Sequence, residues 1–471
     1  MASGQYRLQF LHISDLHAKG PQEEEAWRRR RVLGDAWLRN LETLVNEEGH
    51  IDFVFFTGDA AQSGKPEEYA EVTDFLGSLL EELDLKPDRL FVVPGNHDVD
   101  RRAQQDVWKS MRWRLAATND LLGVSRWMNG ISPPPLGFED SWKTAILDRE
   151  LGYRAWVKGQ LHRADLVPDG LGYRAQVLLP GYLPIHIVGL DTAWLCGDDA
   201  DAGRLLLTEN QLGRHLNDDR GDPLPGLRIV LMHHPLHELA DGPSIKRLLA
   251  DRADLVLRGH LHQTEVVEWI DPARRLRELA SGSLYEGGLA DTYGNSCQFV
   301  RLELDSNLRP IEAMVRFRTF SPRAGHWFDD NSLYREGQAG RITWTFGAPA
   351  THRKPEPVQP LDATARPLLR SRWPLPTPGN RLRRTPQHVA GGRLAHREDH
   401  HPGRLGEAAA RARRGGEAGF GPGPGGRLRR SVRRDRDRPG FASGRGRCGR
   451  PANRLDRCGL RLGASTGGAG G

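Results

Sequence analysis

The feature that most constrains the fold of this chain is an apolar segment followed closely by Asp, Asn or His, a pattern that occurs five times. The segments are RLQFLHI (7–13), IDFVFF (51–56), RLFVV (89–93), LRIVLM (227–232) and ADLVLR (253–258). Short apolar runs that are rich in β-branched and aromatic residues predict buried strands. The motifs that follow them are SDLH (14–17), GD (58–59), GNHD (95–98), HHP (233–235) and GHLH (259–262).

Three further apolar segments and three segments of helical periodicity complete this pattern. The further strands are predicted at 185–190, 297–304 and 311–318, and the helices at 23–47, 66–83 and 208–216. Pro66 suits the first turn of its helix, and acidic residues follow it. Nearly continuous apolar strands that alternate with helices indicate sheets covered by helices, so we predict a layered α/β fold.

We predict one globular domain over residues 1–320, with an insertion at about 101–180 and a C-terminal extension of the domain at 321–350. The insertion contains five tryptophans: Trp108, Trp113, Trp127, Trp142 and Trp156. So many indole rings in a short segment indicate a small helical subdomain that packs them beside the core. An insertion directly after a candidate catalytic loop is also suited to form one wall of a substrate pocket.

The composition changes abruptly beyond residue 350. Residues 351–471 are rich in Arg, Gly, Pro and Ala and carry 27 Lys+Arg against 9 Asp+Glu, a net charge of +18. Because the whole chain has a net charge of +6, residues 1–350 carry −12. A segment so poor in apolar residues does not offset its chain entropy, so we predict a disordered low-complexity tail. A reading-frame artefact in place of a lost C-terminal domain is a second interpretation, and a tail that binds nucleic acid is a third.

Two features bear on the cellular compartment. The four cysteines (Cys196, Cys297, Cys448 and Cys458) have no spacing typical of a disulfide framework or a zinc knot. The first residues, MASGQYRLQF, lack the apolar core of a signal peptide, and no apolar run approaches membrane-spanning length. We therefore expect a cytoplasmic protein without a membrane partner, and leave open a bacterial export route that uses no such signal.

The five strand-end motifs together predict a metal site. In layered α/β folds, ligands gather where the strands end and the loops begin. Asp, Asn and His side chains without thiolates favour Mn, Fe, Zn or Mg over a structural zinc site. Glycines precede Asp59, Asn96 and His260, and they suit turns that aim the next side chain into a cleft.

Taken in order, DLH, GD, GNHD, HHP and GHLH resemble the motifs of the calcineurin-like metallophosphoesterase superfamily, over roughly residues 7–305. Within it, GDAAQSGKPEEY (58–69) and GHLHQ (259–263) are most similar to the bacterial class III cyclic-nucleotide phosphodiesterase branch. The resemblance implies a four-layer α/β fold, in which a double β-sheet sandwich is flanked by helices. It also implies two divalent metal ions in the cleft.

Carried over by position, the resemblance implies seven metal ligands. Asp15, His17 and His262 would hold the first metal; Asn96, His233 and His260 would hold the second; and Asp59 would bridge both. His97 would lie off the metals and face the leaving group, with Asp98 as its orienting partner. Two alternatives stay open, namely His234 in place of His233 as a ligand, and Asp98 as a cap of the following helix.

The implied reaction is hydrolysis of a phosphodiester, either a cyclic nucleotide or another small diester. A hydroxide that bridges the two metals would be the nucleophile, because two cations lower the pKa of a bound water. The metals would offset the charge on the phosphoryl oxygens, and His97 would act as the general acid for the leaving group. The neutral carbonyl of Asn96 would limit the negative charge of the site, so that an anionic phosphate can enter.

Two other functions are compatible with the sequence. One is a different phosphoester hydrolase of the superfamily: a phosphomonoesterase, a nucleotide pyrophosphatase or a nuclease. The other is a regulatory module of a larger signalling protein whose C-terminal partner is lost. Family serine/threonine phosphatases carry an Asp–Arg pair after the GD motif, where this chain has Ala60 and Ala61. A nuclease requires a basic groove, whereas residues 1–350 are acidic, so we expect a small phosphoester as partner and nucleic acid only at the tail. The oligomeric state does not follow from the sequence.

Overall fold

The computed structural model describes residues 6–178, 184–287, 294–334 and 339–346. The predicted disordered tail at 351–471 lies outside these described residues. The helices are α1 (Ala26–Leu33), α2 (Asp35–Glu48), α3 (Tyr69–Glu82), α4 (Gln105–Ala117), α5 (Leu121–Met128), α6 (Asp140–Leu147), α7 (Leu151–Gly159), α8 (Glu209–Leu216) and α9 (Gly242–Arg252). The strands are β1 (Tyr6–Ile13), β2 (Phe53–Phe56), β3 (Leu90–Val92), β4 (Tyr173–Val177), β5 (Ile185–Gly189), β6 (Leu227–Leu231), β7 (Leu255–Arg258), β8 (Glu265–Ile270), β9 (Arg275–Ala280), β10 (Ser296–Leu304), β11 (Pro310–Ser321), β12 (His326–Asp329) and β13 (Arg341–Thr345).

The strands form two mixed sheets. The first has the order β12-β11-β10-β1-β2-β3, with β13 also paired to β11, and its strands β1, β2 and β3 are parallel. The second has the order β4-β5-β6-β7-β9-β8, in which β5, β6, β7 and β9 are parallel and the two edge strands are antiparallel. The parallel strands of each sheet therefore deliver their carboxyl ends to one edge.

Alternating side chains bury both faces of the second sheet. Ile187, Ile229 and Leu257 lie in one core with side chains of the first sheet and of helices α2 and α3. Their neighbours Val188 and Val230 lie in a second core with side chains of α4, α5, α8 and α9. This period of two explains why these strands read as continuous apolar runs in the sequence. The predicted layered α/β fold, with two sheets flanked by helices, is confirmed.

Several element predictions need correction. The single helix predicted at 23–47 is two helices, because the backbone of Gly34 (φ −85°, ψ −132°) is not helical and a side chain there would collide with the carbonyl of Arg30. The sequence pattern did not predict α9 or the strands β4, β8, β9, β12 and β13. The insertion at about 101–180 contains α4 to α7, as its tryptophans indicated, but it ends in β4, which pairs with β5. Trp108, Trp127 and Trp156 are buried, whereas Trp113 is exposed.

No helix within the described residues is long and apolar enough to cross a membrane. The cytoplasmic location expected from the sequence remains a prediction. The boundaries of the predicted domain, its extension at 321–350 and the tail also remain predictions, although β12 and β13 of that extension join the first sheet.

Candidate metal centre

All five strand-end motifs meet at the carboxyl ends of β1, β2, β3, β6 and β7. The loops of the first sheet are joined by backbone hydrogen bonds, since the amides of Leu16 and His17 donate to the carbonyl of Asp59 at 2.9 and 3.0 Å. In the second sheet, the amide of Gly259 donates to the carbonyl of His233 at 3.3 Å. These contacts hold the loops so that the seven predicted ligands face one another.

The first group of donor atoms comes from Asp15, His17, Asp59 and His262, which all lie close enough to share one ion. Nε2 of His17 is 3.2 Å from Nε2 of His262, 3.8 Å from Oδ1 of Asp15 and 3.9 Å from Oδ2 of Asp59. Nε2 of His262 lies 3.3 Å from Oδ1 of Asp15. Donor atoms that surround one cation tetrahedrally at about 2.1 Å lie about 3.4 Å apart, so this group fits a divalent cation.

The second group adjoins the first. Oδ1 of Asn96 lies 3.1 Å from Nε2 of His233 and 3.0 Å from Nδ1 of His260. Nε2 of His233 is also 3.3 Å from Oδ2 of Asp59. The same carboxylate oxygen of Asp59 therefore faces both groups, which is the arrangement that a bridging ligand requires.

The contacts of His233 and His234 differ. Nδ1 of His233 lies 2.7 Å from the carbonyl oxygen of Thr57, which leaves Nε2 to face Asn96 and Asp59. The ring of His234 lies near His233 and His260, but its Nδ1 is 2.8 Å from Oγ1 of Thr192 and its Nε2 is 3.4 Å from Sγ of Cys196. His234 nevertheless offers a ring nitrogen within reach of the same ion as His233 and His260, so the choice of His233 over His234 as the ligand remains a prediction.

Two polar atoms of the first group are buried without a well-aligned hydrogen bond in the described part of the chain. They are Oδ1 of Asp15 and Nδ1 of His17. A buried acceptor without a partner destabilises a fold by roughly 1–3 kcal/mol, and a cation bound by Asp15 would relieve that cost. The donor set therefore fits divalent cations.

The electrostatics of the cluster lead to the same conclusion. Burial would raise the pKa of Asp59, but the adjacent His233 and His97 outweigh burial and hold that pKa well below its usual range. Although burial opposes it, Asp59 raises the pKa of His233 to about 9, and contacts with Asp15 and Glu286 raise the pKa of His262 to about 10. The buried carboxylates thus need positive charge beside them. Bound cations would supply that charge and release the histidine protons.

Five of the seven predicted ligands have a left-handed backbone conformation. The φ angles are 56° at Asp15, 48° at His17, 57° at Asp59, 77° at His260 and 55° at His262. This region is uncommon for residues other than Gly, although Asn, Asp and His enter it more often than the rest, and non-glycine residues held in it concentrate at functional sites. The left-handed turns project these side chains from the strand ends into the space between the loops.

Glycine is required at two of these turns for reasons of space. A side chain at Gly95 would lie 2.2 Å from Oδ1 of Asp59, and one at Gly259 would lie 1.9 Å from Oγ of Ser14. The loops therefore approach one another too closely for any other residue. Gly58 fits the turn predicted from the sequence, since its φ is 101°.

His97 lies beside the cluster rather than in it. Its ring packs edge-on against the ring of His17, with the centroids 4.7 Å apart, and its amide donates to Oδ1 of Asp59 at 2.7 Å. Nδ1 of His97 lies 2.7 Å from the carbonyl oxygen of Gln62, to which it can donate a hydrogen bond. Nε2 is then the ring nitrogen that is available to a substrate.

The structure does not place the Asp98 side chain as the sequence suggested. In the described residues, the Asp98 carboxylate makes no hydrogen bond or ion pair with the ring of His97. It accepts hydrogen bonds from the amides of Ala60, Ala61 and Gly95 at 3.0–3.2 Å and from the hydroxyl of Tyr69 at 3.1 Å. Adjacent side chains on this short 3-10 turn diverge, so Asp98 fastens the loops after β2 and β3, and Gln62 takes the orienting position.

Sequence reasoning missed two carboxylates behind the ligands. Oε2 of Glu238 lies 3.0 Å from Nε2 of His260, and Oε1 of Glu286 lies 2.6 Å from Nδ1 of His262. Carboxylates in this position orient a histidine ligand and raise its basicity. Glu238 comes soon after the HHP motif and Glu286 follows the end of β9, and position after a strand end was the available signal.

Comparisons with known proteins agree with this geometry at the level of the superfamily. Residues 8–153 match the family described as calcineurin-like phosphoesterase. An uncharacterized metallophosphoesterase-like protein of Bacillus subtilis is 25% identical over 349 residues, which are 72% of this chain and 65% of that protein. The chain thus spans about two thirds of the length of this relative. The superfamily predicted from the motifs is confirmed, and the cyclic-nucleotide branch remains a prediction.

Two solved structures that match this chain have low sequence identity to it and TM-scores below 0.5. A 5'-nucleotidase precursor from Thermus thermophilus is 12% identical, with a TM-score of 0.34 over 68% of this chain and 56% of that one. Vacuolar Protein Sorting 29 from Cryptosporidium parvum is 11% identical, with a TM-score of 0.28 over 72% of this chain and 100% of that one.

Proposed function

We propose that this chain, whose residues 8–153 match the calcineurin-like phosphoesterase family, is a phosphodiesterase that uses two divalent metal ions. Its substrate would be a cyclic nucleotide or another small phosphodiester in the cytoplasm. One observation carries the proposal, namely that Oδ2 of Asp59 faces both Nε2 of His17 and Nε2 of His233. A single carboxylate between two histidine-containing donor groups suits a pair of metals better than one.

The donor residues form two groups, one for each cation. Asp15, His17 and His262 would hold one cation, Asn96, His233 and His260 the other, and Asp59 both. Cations bound there would neutralise the phosphoryl oxygens of the substrate and lower the pKa of a water molecule. The chain itself contributes the orientation of the ligands, through the loop-to-loop hydrogen bonds and the two carboxylates behind the histidines.

His97 is suited to protonate the leaving oxygen. Its Nδ1 is held by Gln62, so that Nε2 is left to exchange a proton with the substrate. Histidine is the side chain that most readily gives and takes a proton near neutral pH. A phosphodiester with an alcohol leaving group needs such a general acid, because an alkoxide is a poor leaving group.

The residues after the bridging aspartate favour a diester over a monoester. Ala60 and Ala61 follow Asp59 and are fully buried, so that no arginine clamps a dianionic phosphate from this position. A diester carries one negative charge on its phosphate and needs no such clamp.

The proposal is tested with the full chain, loaded with Mn²⁺, on bis(p-nitrophenyl) phosphate and on p-nitrophenyl phosphate. We expect faster hydrolysis of the diester, and loss of activity to the level of metal-free protein in Asp59→Asn and Asn96→Ala. Asp254→Asn is the matched control. Asp254 pairs with Arg228 at the amino ends of β7 and β6, whereas the donor groups lie at the carboxyl ends of these strands. A metal-saturated wild type that hydrolyses neither compound would overturn the proposal and favour the regulatory module. Repeating the assay with Fe²⁺, Zn²⁺ and Mg²⁺ identifies the preferred metal.

A further inference from the structure

A cavity of about 300 Å³ opens beside His97. Asn96 and His97 form the wall that it shares with the candidate metal centre, and the rest comes mainly from Gln62 to Lys65 and from Val99 to Arg102. Its volume lies at the lower end of the range for small-molecule sites. If His97 protonates the leaving oxygen, as proposed above, a leaving group beside its ring would lie next to this cavity.

The charged residues of this cavity are mostly cations. Lys65, Arg101 and Arg102 line it, against a single carboxylate, Asp100. Oδ1 of Asp100 accepts a hydrogen bond from the amide of Arg102 at 2.9 Å, so that it is engaged in a local turn. We call the cavity with these three basic side chains the cationic cavity.

Two of the three cations lack a partner in the described part of the chain, where no carboxylate lies within ion-pair distance of the side chains of Lys65 and Arg102. Arg101 contacts Asp199 at 3.4 Å, but the Asp199 side chain is fully exposed, and such surface pairs contribute little. Three positive charges along one cavity attract an anion that enters it. Residues 1–350 are acidic as a whole, so the excess of positive charge along this cavity departs from the average of the domain.

We propose that the cationic cavity binds a second phosphate group, carried by the alcohol that leaves from the scissile phosphodiester. The inference rests on the phosphodiesterase activity proposed above and narrows its substrate class to diesters with a phosphorylated leaving alcohol, such as short oligonucleotides with a terminal phosphate. Hydrolysis of such a diester consumes one water and breaks the bond between phosphorus and the leaving oxygen. That oxygen takes a proton from His97, and the products are a phosphomonoester and the phosphorylated alcohol.

This substrate class differs from cyclic mononucleotides. In a cyclic mononucleotide the leaving oxygen belongs to the same nucleotide as the scissile phosphate, and no second phosphate is present. The cationic cavity would then stay without an anion, and its contribution to binding would be lost.

The test compares three dinucleotides with the Mn²⁺-loaded full chain: thymidylyl-thymidine, the same compound with a 5'-phosphate, and the same compound with a 3'-phosphate. Both phosphorylated forms are needed because either nucleoside can be the leaving alcohol. We expect kcat/KM for the better phosphorylated form to exceed that of the unphosphorylated dinucleotide by at least about tenfold, the size of one charge-assisted contact. Equal kcat/KM values for all three, or hydrolysis of bis(p-nitrophenyl) phosphate alone, would overturn the inference and leave the phosphodiesterase proposal standing.

The double variant Lys65→Ala/Arg102→Ala assigns the preference to the cavity. The quantity compared is kcat/KM for the better phosphorylated dinucleotide divided by kcat/KM for the unphosphorylated one. We expect this ratio to fall close to one in the double variant and to stay at the wild-type value in Lys158→Ala/Arg220→Ala. That control removes the same charge from two exposed side chains elsewhere. An unchanged ratio in the first variant contradicts the inference. If the variant does not fold, the wild-type ratio is measured while the ionic strength rises from about 0.05 to 0.5 M, where it should decrease because salt screens the contact; a constant ratio counts against the cavity.

Discussion

Oε1 of Glu286 lies 2.6 Å from Nδ1 of His262, and the opposite nitrogen of the same ring lies 3.3 Å from Oδ1 of Asp15. The ring is thus held between a carboxylate behind it and a carboxylate in the donor group. Glu286 therefore helps the loop that carries His262 to orient the ring, and it raises the basicity of the ring.

Glu286→Gln should weaken binding of the first metal by about 10- to 100-fold, the usual effect of removing a carboxylate behind a histidine ligand. Glutamine keeps the shape of the side chain and removes its charge, so the fold should persist. Titration of metal-free protein with Mn²⁺ by isothermal calorimetry measures the affinity directly, without reference to turnover. Glu303→Gln, which loses the surface pairs with Arg7 and Arg301, far from the donor groups in the sequence, is the control. Equal affinities in both variants would assign Glu286 no role in metal binding.

The variants His233→Ala and His234→Ala should differ in the number of metal ions that the chain binds. His233→Ala removes the ring nitrogen that faces Asn96 and Asp59, so we expect one metal per chain instead of two. His234→Ala removes contacts to Thr192 and Cys196, so we expect two metals and a lower melting temperature. Metal content after dialysis, measured by mass spectrometry, decides between them, and loss of a metal in His234→Ala would reverse the assignment.

His97→Ala should keep both metals and slow the reaction, because the ring lies beside the donor groups. General acid catalysis contributes about 10²- to 10⁴-fold. The loss should be large for an alkyl leaving group, which needs a proton, and small for p-nitrophenolate, which does not. Comparison of methyl p-nitrophenyl phosphate with a dialkyl ester measures this difference. Loss of metal in His97→Ala would place the residue among the ligands instead.

The positions of the site residues along the chain were predictable, but their conformations were not. The apolar run YRLQFLHI ends at Ile13, where β1 ends, and Asp15 and His17 follow in the turn as expected. His12, inside the strand, is buried between Gln298 and Thr57. The left-handed backbone at His17 and His262 was not predicted, since only a small fraction of histidines adopt it and residue type does not tell which ones. Contacts between loops, such as the amide of His17 with the carbonyl of Asp59, impose it.

The partners of His97 show the same limit. Asp98 is adjacent to it in sequence, and adjacency suggested a contact that the structure does not contain. The Gln62 carbonyl that holds the ring is a backbone group. Because every residue has one, the type of residue 62 does not predict this contact. Side-chain identity predicts which groups can bind a metal, whereas the direction of a side chain depends on the turn that carries it.

Removal of residues after 350 should leave the domain intact. Every helix and strand that the structure describes lies before residue 347, and β13, the last of them, pairs with β11 in the first sheet. We expect the shortened chain to keep the melting temperature, metal content and phosphodiesterase activity of the full chain. A chain that ends after Ser321 is the informative contrast, because it lacks β12 and β13 and should be less stable. Aggregation of the 1–350 chain would contradict the predicted boundary between the domain and the tail at residue 350.

His215 should make the stability of the domain depend on pH. Burial lowers the pKa of His215 to about 4, and its Nε2 lies 3.0 Å from the carbonyl oxygen of Leu171. The unfolded chain, with a histidine pKa of about 6.5, binds the proton first as the pH falls. The free energy of unfolding should therefore decrease as the pH falls from about 6.5 to 4, by about 3 kcal/mol from this residue. Urea unfolding at several pH values should show this decrease in the wild type and in the control His50→Gln, an exposed histidine, and a shallower one in His215→Gln. The same pH dependence in all three proteins would show that His215 does not cause it.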